Sequence, residues 1–407
     1  MNTRTLARVV ATTDVHSALG EAGALLSHLH GLRPSSLIAD CGDFFEGTGY
    51  YQLGGGQVER TILTTLYDVL APGNHGWPHY FEPALHQMTV CANARRDTDG
   101  RLLFRPVRIL TVGGRQVAVT AVIGQQAFDA IPTHQRAAQH VTDPVTALRE
   151  VLLEHHHHVD SWIVLSHSGF ATDLELAGHC PFVDVIFAGH CHSETYGPTH
   201  VGDTLVVKGP ELGAGYAAAE PVGAGWAART ARFLHPGTLP GTLTALAQEI
   251  TGMGRRLAAD LGTLNEPYRN TLLDRRLLLS QVASRLHTGL GAAAVILNET
   301  ALRPTQLGDT LTLGDLLAVE PFGNQLVHAF LTDEHTHHPQ RLLAHLDAHA
   351  GPLVTAPHPL PAGARSVLTT GYLADSYLDG RAHQAGLRLG DAVRHVLATP
   401  PAEGDTP

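Results

Sequence analysis

Short apolar segments alternate with helix-like segments over the first half of this chain, and this alternation is what most constrains its fold. Residues 8–12, 36–38, 117–122, 162–166, 183–188 and 204–207 have the apolar character of buried strands, and residues 19–30 and 144–155 that of helices. Strand–helix alternation is typical of layered α/β domains, which place ligands at the carboxyl ends of their strands. We therefore expect an α/β domain whose functional residues follow its strands.

Five short polar segments each follow a predicted strand or lie in a turn. They are DVH with Asp14 and His16, CGDFFEGT with Asp43, GNH with Asn74 and His75, LSHSG with His167, and AGHCHSE with His190 and His192. Each segment alone is a weak signal, because Asp-x-His and Gly-Asp recur by chance. Loops on a rigid scaffold often carry catalytic groups, and histidine is the commonest neutral metal ligand.

The order of these segments, D-x-H, G-D, G-N-H, H and G-H-x-H, resembles that of the calcineurin-like metallophosphoesterase superfamily over residues 14–192. The resemblance implies a layered αββα domain with two divalent metal ions that share the carboxylate of Asp43. It assigns Asp14, His16 and His192 to one ion, and Asn74, His167 and His190 to the other. Such a mixed ligand set suits zinc, manganese, iron or cobalt better than calcium. Structural histidines with satisfied hydrogen bonds are the alternative interpretation.

The resemblance also gives catalytic roles to Asp43 and His75. In the family's chemistry, two metal ions bind the phosphoryl oxygens and activate a water for in-line attack on phosphorus. His75 would stabilise the phosphoryl charge or protonate the leaving oxygen. Asn74 and His75 are therefore expected to contact the substrate as well.

The chain departs from the family pattern directly after His75. The family form continues as G-N-H-E/D-x-D, and its second acid orients the histidine, whereas Gly76 and Pro78 occupy those positions here. We expect His79, Asp68 or a backbone carbonyl to orient His75 instead.

A second resemblance lies in the segment LNETALRPTQLGDTLTLGDLLAVEPFGNQLV. It is similar to the C-terminal domain of the 5′-nucleotidase group, in which N-G-G-x-x-R precedes G-x-I/L-T-x-G-D and P-F-G-N. The matching residues are Asn298, Arg303, Gly308, Thr312, Gly314, Asp315, Phe322, Gly323 and Asn324, while Glu299 and Thr300 replace two glycines. The resemblance implies a smaller α+β domain that binds a nucleotide, since arginine can hold phosphate and an aromatic ring can stack on a base.

This resemblance predicts a set of substrate contacts in the C-terminal domain: Arg303, Phe322, Asn324, Tyr372 and Asp379. Tyr372 lies in TTGYLADSYLDGRA, whose Asp379-Gly380 matches the end of a G-G-D-G segment, and Tyr377 is an alternative source of the ring. For Phe322, a plain core aromatic is the alternative.

The sequence changes character near residue 234, where HPGTLPGTL indicates a hinge. We predict a metallophosphoesterase domain over 1–236, a helical linker over 237–270 with a helix at 243–261, and a nucleotidase-like domain over 271–407. The last domain should contain a helix at 277–286 and a strand at 294–297. Two histidine-rich segments, EHHHH at 154–158 and HTHH at 335–338, are interpreted as a solvated helix end and a surface loop.

These features predict a metal-dependent phosphoric ester hydrolase that releases phosphate from a nucleotide-like monoester, with a nucleoside 5′-monophosphate favoured. The first alternative is the same chemistry on 2′,3′-cyclic nucleotides, nucleotide-sugars or another small organophosphate of a specialised pathway. The second belongs to another class, a nucleotide-binding protein without catalysis.

The composition and the net charge limit the classes of partner that we expect for this protein. The net charge of −11, without a long basic run, argues against nucleic acid. No apolar run is long enough for a membrane span, and the N-terminal residues are better explained as a first strand than as a secretory signal. The expectation is a cytoplasmic enzyme, with its oligomeric state left open.

Overall fold

The computed structural model describes residues 4–193, 195–234 and 237–399. It divides into an N-terminal unit up to Gly252 and a C-terminal unit from Met253 onwards. This division falls inside the predicted linker, and the predicted boundaries at 236 and 270 stay predictions. His235 and Pro236, where the predicted hinge begins, lie outside the described residues.

The N-terminal unit contains most of the strands. They are β1 (Arg8–Thr12), β2 (Ser36–Asp40), β3 (Val69–Leu70), β4 (Ala94–Arg96), β5 (Val107–Val112), β6 (Arg115–Ile123), β7 (Gln139–Val141), β8 (Ser161–His167), β9 (Val185–Ala188), β10 (Thr199–Val201), β11 (Thr204–Lys208), β12 (Gly215–Val222) and β13 (Gly225–Arg232). Its helices are α1 (Ala22–Leu32), α2 (Gly49–Gly54), α3 (Gln57–Leu66), α4 (Pro83–His86), α5 (Gln125–Ala130), α6 (Pro144–His155) and α7 (Phe170–His179), and α8 (Gly241–Leu257) runs past the division. Short 3₁₀ helices span Arg33–Ser35, Trp77–Phe81, His156–His158 and, in the C-terminal unit, Glu299–Ala301.

Two sheets facing each other form the core of the N-terminal unit. Their strand orders are β13-β12-β1-β2-β3 and β10-β11-β9-β8-β6-β5, and β4 pairs with β7 separately. Val9 and Ala39 of the first sheet share an apolar cluster with Val119, Leu165 and Phe187 of the second. Strands β1, β2 and β3 run parallel, as do β6, β8, β9 and β11. Buried on both faces, such strands are near-continuous apolar runs, which is why the sequence reveals them.

Helix α7 covers the outer face of the second sheet. Phe170 and Leu176 of this helix pack against Val164 and Ile186, whose side chains point away from the other sheet. On the first sheet, Val10 is likewise fully buried on the face opposite Val9. The layered α/β arrangement expected from the sequence is confirmed.

The C-terminal unit has helices on both faces of a mixed sheet. Its strands are β14 (Asp260–Leu264), β15 (Val295–Asn298), β16 (Thr310–Thr312), β17 (Gln325–Phe330), β18 (Leu353–Ala356), β19 (Ser366–Thr370), β20 (Ala382–Arg388) and β21 (Ala398–Thr399). Its helices are α9 (Arg275–Leu290), α10 (Leu313–Val319), α11 (Asp333–His337), α12 (Pro339–Ala350), α13 (Gly371–Tyr377) and α14 (Leu389–Leu397). The sheet orders are β18-β15-β19-β17-β20 and β16-β14-β21. Val282 of α9 packs on one face of the larger sheet, and Leu346 of α12 packs on the other.

Part of the 5′-nucleotidase-like motif has a local structural role. The Thr312 hydroxyl accepts a hydrogen bond from the Asp315 backbone N–H at 3.1 Å, and the Asp315 carboxylate accepts one from the Thr312 backbone N–H at 2.9 Å. This reciprocal pair is a capping box that begins α10. The Thr-x-Gly-Asp sequence is therefore accounted for by helix initiation.

Most predicted elements are found within a few residues of their expected ends, with two corrections. The helix predicted at 243–261 ends at Leu257, because Asp260 begins β14, which pairs with β16 and β21. The segment HTHH is not a loop, since His335 and His337 belong to α11. Among the helices that the structure describes, none is both long and apolar enough to cross a bilayer.

A close approach between two loops makes Gly73 a sensitive position. A Cβ atom built on Gly73 would lie 2.3 Å from the backbone nitrogen of Asp43, whereas one built on Gly225 would have no neighbour within 4 Å. Gly73→Ala is expected to destabilise the N-terminal unit by about 1–3 kcal/mol, as overpacking against rigid structure usually does. Gly225→Ala, as the control, should change its stability by about 0.5 kcal/mol or less.

Denaturant unfolding followed by tryptophan fluorescence measures this difference. The three tryptophans, Trp77, Trp162 and Trp226, all belong to the N-terminal unit, so the signal reports on that unit. Equal midpoints for the two variants would contradict the role of Gly73.

Candidate metal centre

The carboxyl ends of the parallel strands carry the predicted ligands. Asp14 and His16 follow β1, Asp43 follows β2, Asn74 and His75 follow β3, His167 ends β8, and His190 and His192 follow β9. The structure brings the side chains of all these residues into one region of the N-terminal unit. Their assignment as metal ligands or catalytic groups stays a prediction.

The possible ligand atoms form three overlapping groups, of which His16, Asp43 and His75 make one and the two described next are the groups that contain the predicted ligands alone. In the first, atoms of Asp14, His16 and His192 lie within 4.8 Å of one another. In the second, the same limit holds for Asp43, His167 and His190.

Asn74 joins the second of these groups. Its Oδ1 atom lies 3.1 Å from His167 Nε2 and 3.0 Å from His190 Nδ1. Its amide oxygen is therefore placed as a neutral donor beside two imidazole nitrogens.

The carboxylate of Asp43 lies between the two groups. Its Oδ2 atom is 3.7 Å from His16 Nε2 and 3.3 Å from His167 Nε2. Two atoms bound to one tetrahedral ion at about 2.1 Å are separated by about 3.4 Å, so these distances match shared coordination. One carboxylate oxygen of Asp43 therefore lies close to an imidazole from each of the two groups.

An unpaired buried nitrogen supports the fit to a metal. His16 Nε2 is buried and has no hydrogen-bond partner among the described residues, yet it faces the carboxylates of Asp14 and Asp43. A buried polar atom without a partner is costly, and a bound cation would satisfy it. The residues present therefore fit divalent metal ions.

Burial and mutual charge set the protonation of the centre. Burial by itself would raise the pKa of Asp43, but the nearby imidazoles, led by His167, hold that pKa well below its usual range. Burial disfavours a charge on the His167 ring, but the nearby Asp43 carboxylate favours that charge more strongly and raises the His167 pKa to about 9. Burial lowers the pKa of His16 to about 3 and that of His190 to about 4, so both rings stay neutral, the form that binds metals.

Unusual backbone angles recur at the centre. Asp14, His16, Asp43 and His190 have φ values of 48°, 50°, 56° and 75°, in the left-handed region that L-residues seldom adopt. Such conformations persist where surrounding structure enforces them, and they cluster at functional sites. The loops are therefore shaped for the site rather than for stability alone.

Hydrogen bonds from outside the centre fix the orientation of two imidazoles. His167 Nδ1 lies 2.8 Å from the carbonyl oxygen of Cys41, so a proton on Nδ1 leaves Nε2 free to coordinate. His192 Nδ1 lies 2.5 Å from Glu211 Oε2, and this bond raises the pKa of His192. Glu211 also accepts a hydrogen bond from Lys208, whose ammonium group is fully buried.

Sequence reasoning missed Glu211 and the carboxylate partner of His75. His75 Nδ1 lies 3.1 Å from Glu46 Oε2.

The expectation that His79 or Asp68 orients His75 is wrong, because these side chains have other partners. His79 bonds to Tyr51 and Glu82, and Asp68 bonds to Arg4 and to the backbone of Ile38. The sequence offered only their positions as a signal for these two acids. Glu46 lies three residues after Asp43, and Glu211 lies three residues after the end of β11.

In the C-terminal unit, two of the predicted substrate residues form a surface pair. The Phe322 side chain is 49% exposed, and the Arg303 guanidinium lies 5.3 Å from its ring centroid. Phe322 is therefore not a core aromatic. Asn324 is tied back to the protein, since its backbone and side-chain nitrogens both donate to Glu320.

The other predicted residues of this unit lie on α13 and just after it. Tyr372 is exposed, and its hydroxyl lies 3.1 Å from that of Tyr377. Asp379 is exposed and has a φ of 60° in the turn that follows the helix. Their contact with a substrate stays a prediction.

Imidazole, carboxylate and amide side chains thus meet at the strand ends of a two-sheet domain, which is the arrangement expected of a metallophosphoesterase. Residues 7–194 match the family described as Calcineurin-like phosphoesterase. The sequence-based recognition is thus confirmed.

The similar proteins of known sequence include 5′-nucleotidases. The chain is 28% identical over 222 residues to the 5′-nucleotidase of Bos taurus, a match that covers 46% of this chain and 38% of the relative. For the probable 5′-nucleotidase of Treponema pallidum the identity is 26%, with 45% of this chain and 33% of the relative covered. The chain thus spans about a third to two fifths of the length of these relatives.

Solved structures share the fold of both units. The 5′-nucleotidase precursor from Thermus thermophilus has a TM-score of 0.64 at 20% identity, and the match covers 96% of each chain. The sulfate thiohydrolase SoxB of Thermus thermophilus, in complex with glycerol, has a TM-score of 0.68 at 16% identity and covers 98% of this chain and 96% of its own. The predicted metallophosphoesterase domain followed by a 5′-nucleotidase-like domain is confirmed.

Glu211 is predicted to support metal binding through His192. Glu211→Gln keeps the shape of the side chain but removes the charge that holds the His192 ring, so affinity for one metal ion should fall about 10- to 100-fold. Glu220→Gln, an exposed acid on β12, is the control and should bind metal as the wild type does. Isothermal titration calorimetry of the metal-free protein with Zn²⁺ measures this affinity. An unchanged isotherm for Glu211→Gln would exclude the role of Glu211.

Proposed function

We propose that this protein is a dimetal phosphohydrolase that releases phosphate from a nucleotide-like monoester, with a nucleoside 5′-monophosphate as the favoured substrate. The position of Asp43 carries the proposal. Its Oδ2 atom lies 3.3 Å from His167 Nε2 and 3.7 Å from His16 Nε2, between the two groups of ligand atoms. One carboxylate in that position suits two cations held side by side, an arrangement used to transfer phosphoryl groups.

The residues of the centre have distinct tasks in this proposal. Bound divalent ions would supply Lewis-acid polarisation of the phosphoryl group and acidify a water. Asp43 and Asn74 provide anionic and neutral oxygen donors, which set the charge of the centre. The His75 ring lies 4.9 Å from the His16 ring, at the edge of the ligand groups. From there, His75 can stabilise the phosphoryl charge or protonate the leaving oxygen.

The nucleotide preference is supported by the C-terminal unit and by the curated relatives. Arg303 offers a planar cation with several hydrogen-bond donors for the polar groups of a nucleoside, and Phe322 offers an exposed ring for a base. The matched proteins of Bos taurus and Treponema pallidum are described as 5′-nucleotidases, the second as a probable one. Cyclic nucleotides, nucleotide-sugars and other small organophosphates remain the competing substrates, because Glu299 and Thr300 replace glycines of the motif.

Metal content and a panel of phosphate esters test the reaction. The purified protein should bind about two transition-metal ions per chain, as its two ligand groups suggest. With Mn²⁺ added, it should release phosphate from nucleoside 5′-monophosphates faster than from cyclic nucleotides, nucleotide-sugars or sugar phosphates. Asp43→Asn should lose both bound metal and activity. Two bound ions without turnover of any ester would favour the binding-protein alternative and overturn the enzymatic one.

Arg303→Ala tests the role of the C-terminal unit. Loss of the guanidinium should raise KM for nucleotides about tenfold or more, because one charge-assisted contact is lost. KM for a generic aryl phosphate should stay nearly constant, because that ester has no nucleoside for Arg303 and Phe322 to hold. Arg341→Ala removes an exposed arginine of α12 and serves as the control. Equal losses on both substrates would exclude a nucleotide-specific contact.

A further inference from the structure

The loop that carries His75 provides no acid to hold its ring. Trp77 turns inward and is fully buried, with its ring 5.8 Å from that of Phe104 and 5.7 Å from that of Phe128. Pro78 is exposed and has no polar side chain. The side chains of Trp77 and Pro78 therefore lie in the core and in solvent, and neither can hold the His75 ring.

The path of this loop is fixed by Gly76. Its φ is 67°, and a Cβ atom at this position would lie 2.5 Å from Cβ of Phe45. A side chain at position 76 is therefore excluded both by space and by backbone conformation. Directly afterwards the 3₁₀ helix Trp77–Phe81 begins.

The acid comes instead from the loop that carries Asp43. Glu46 Oε2 lies 3.1 Å from His75 Nδ1, and the two side chains are 31% and 27% exposed. The same loop also holds the backbone of the histidine, since His75 N–H donates to Asp43 Oδ1 at 2.8 Å. Both the main chain and the ring of His75 are thus attached to one short stretch of sequence.

The backbone at Glu46 is unfavourable for its residue type. Its φ of 62° lies in the left-handed region, which glycine, asparagine and aspartate accept far more readily than glutamate. A partly exposed ion pair adds little to folding stability, so the pair with His75 does not offset this conformation energetically. Strained residues that are maintained by their surroundings concentrate at functional sites.

A direct metal role for Glu46 is not supported by the geometry. The groups of potential ligand atoms among the described residues include His16, Asp43 and His75 together, but not Glu46. Its carboxylate contacts the ring of His75 rather than the neighbouring ligand groups.

We propose that Glu46 is a positioning residue that orients the His75 ring for the reaction. The proposal rests on the function proposed above. The proton on Nδ1 is donated in a hydrogen bond to the Glu46 carboxylate, which fixes the ring plane. A second proton, on Nε2 of the imidazolium form, is then the one that Nε2 donates to a phosphoryl oxygen or transfers to the leaving oxygen. The acid is supplied by the loop of the bridging carboxylate, which compensates for Gly76 and Pro78 in the histidine's own loop.

Substitutions of Glu46 test this role by kinetics. Glu46→Gln should lower kcat about 10- to 100-fold, less than the 10²–10⁴-fold that a general acid or base contributes itself. KM and bound metal should stay close to wild type, and Glu46→Asp should recover part of the lost kcat. Glu82→Gln is the matched control, because Glu82 bonds to His79 Nδ1 at 2.6 Å in the same region without touching the centre. It should keep wild-type kcat.

A double-mutant comparison separates a positioning role from a general structural one. In a His75→Asn background, Glu46→Gln should cause no further loss of kcat, because Glu46 acts through the ring that has been removed. Additive losses, lost metal or an unchanged kcat in the single variant would each overturn the proposal.

Nuclear magnetic resonance of ¹⁵N-labelled histidine rings tests the orientation without turnover. The His75 signals, assigned by their loss in His75→Asn, should show the proton on Nδ1 in the wild type, both without metal and with Zn²⁺. In Glu46→Leu this preference should disappear. If wild-type protein with two bound ions hydrolyses no ester, the proposed function fails, while the ring signals still decide on Glu46. Unchanged His75 signals in Glu46→Leu would overturn the positioning role even in an active enzyme.

Discussion

The contact of the loop after β2 with the loops after β1 and β3 determines where the residues of these three loops lie in the metal centre. Backbone N–H groups of Asp14 and His16 donate to the carbonyl oxygens of Gly42 and Asp43, at 3.1 and 2.9 Å. His75 N–H donates to the Asp43 carboxylate from the other side. Three strand ends are thereby tied to one aspartate. These backbone contacts help to set the spacing of the predicted ligands.

Burial of the carboxylates in this arrangement costs folding free energy, and the fold alone does not offset that cost. Asp14 and Asp43 are buried, and burial of carboxylates is unfavourable unless cations or hydrogen bonds compensate. In the ion-free chain, a protonated His167 supplies part of the compensation, as the raised pKa of its ring indicates. Divalent ions would supply it more fully and would stabilise the folded state by mass action. Function and stability are therefore linked through the same two carboxylates.

The residues that meet at the centre could be predicted because they follow parallel strands and because their order along the chain resembles that of the metallophosphoesterase superfamily. Asp14, Asp43 and His167 are far apart in sequence, but each follows or ends a buried apolar strand. Glu46 and Glu211 could not be found in this way, since each contacts its histidine across a different loop, 29 and 19 residues away. Such partners depend on side-chain direction and loop path, which no periodicity encodes.

Motif matching was also limited in the C-terminal unit, for a different physical reason. The Thr312–Asp315 match is explained by helix capping, so its presence follows from folding and indicates nothing about a ligand. The exposure of Phe322 could not be read from its apolar character, because burial depends on neighbours from distant strands. Resemblance identified the domain, while the roles of single residues needed coordinates.

The clustering of carboxylates has a consequence for how an anionic ester reaches the centre. The carboxylates of Asp14, Asp43, Glu46 and Glu211 are offset in part by the ammonium group of Lys208 and by a protonated His167. Two divalent cations would make this end of the sheets more positive and so favour the approach of a phosphate. Attraction of the ester from solution would then depend on ion occupancy, so metal supply would govern the rate of encounter as well as the chemical step.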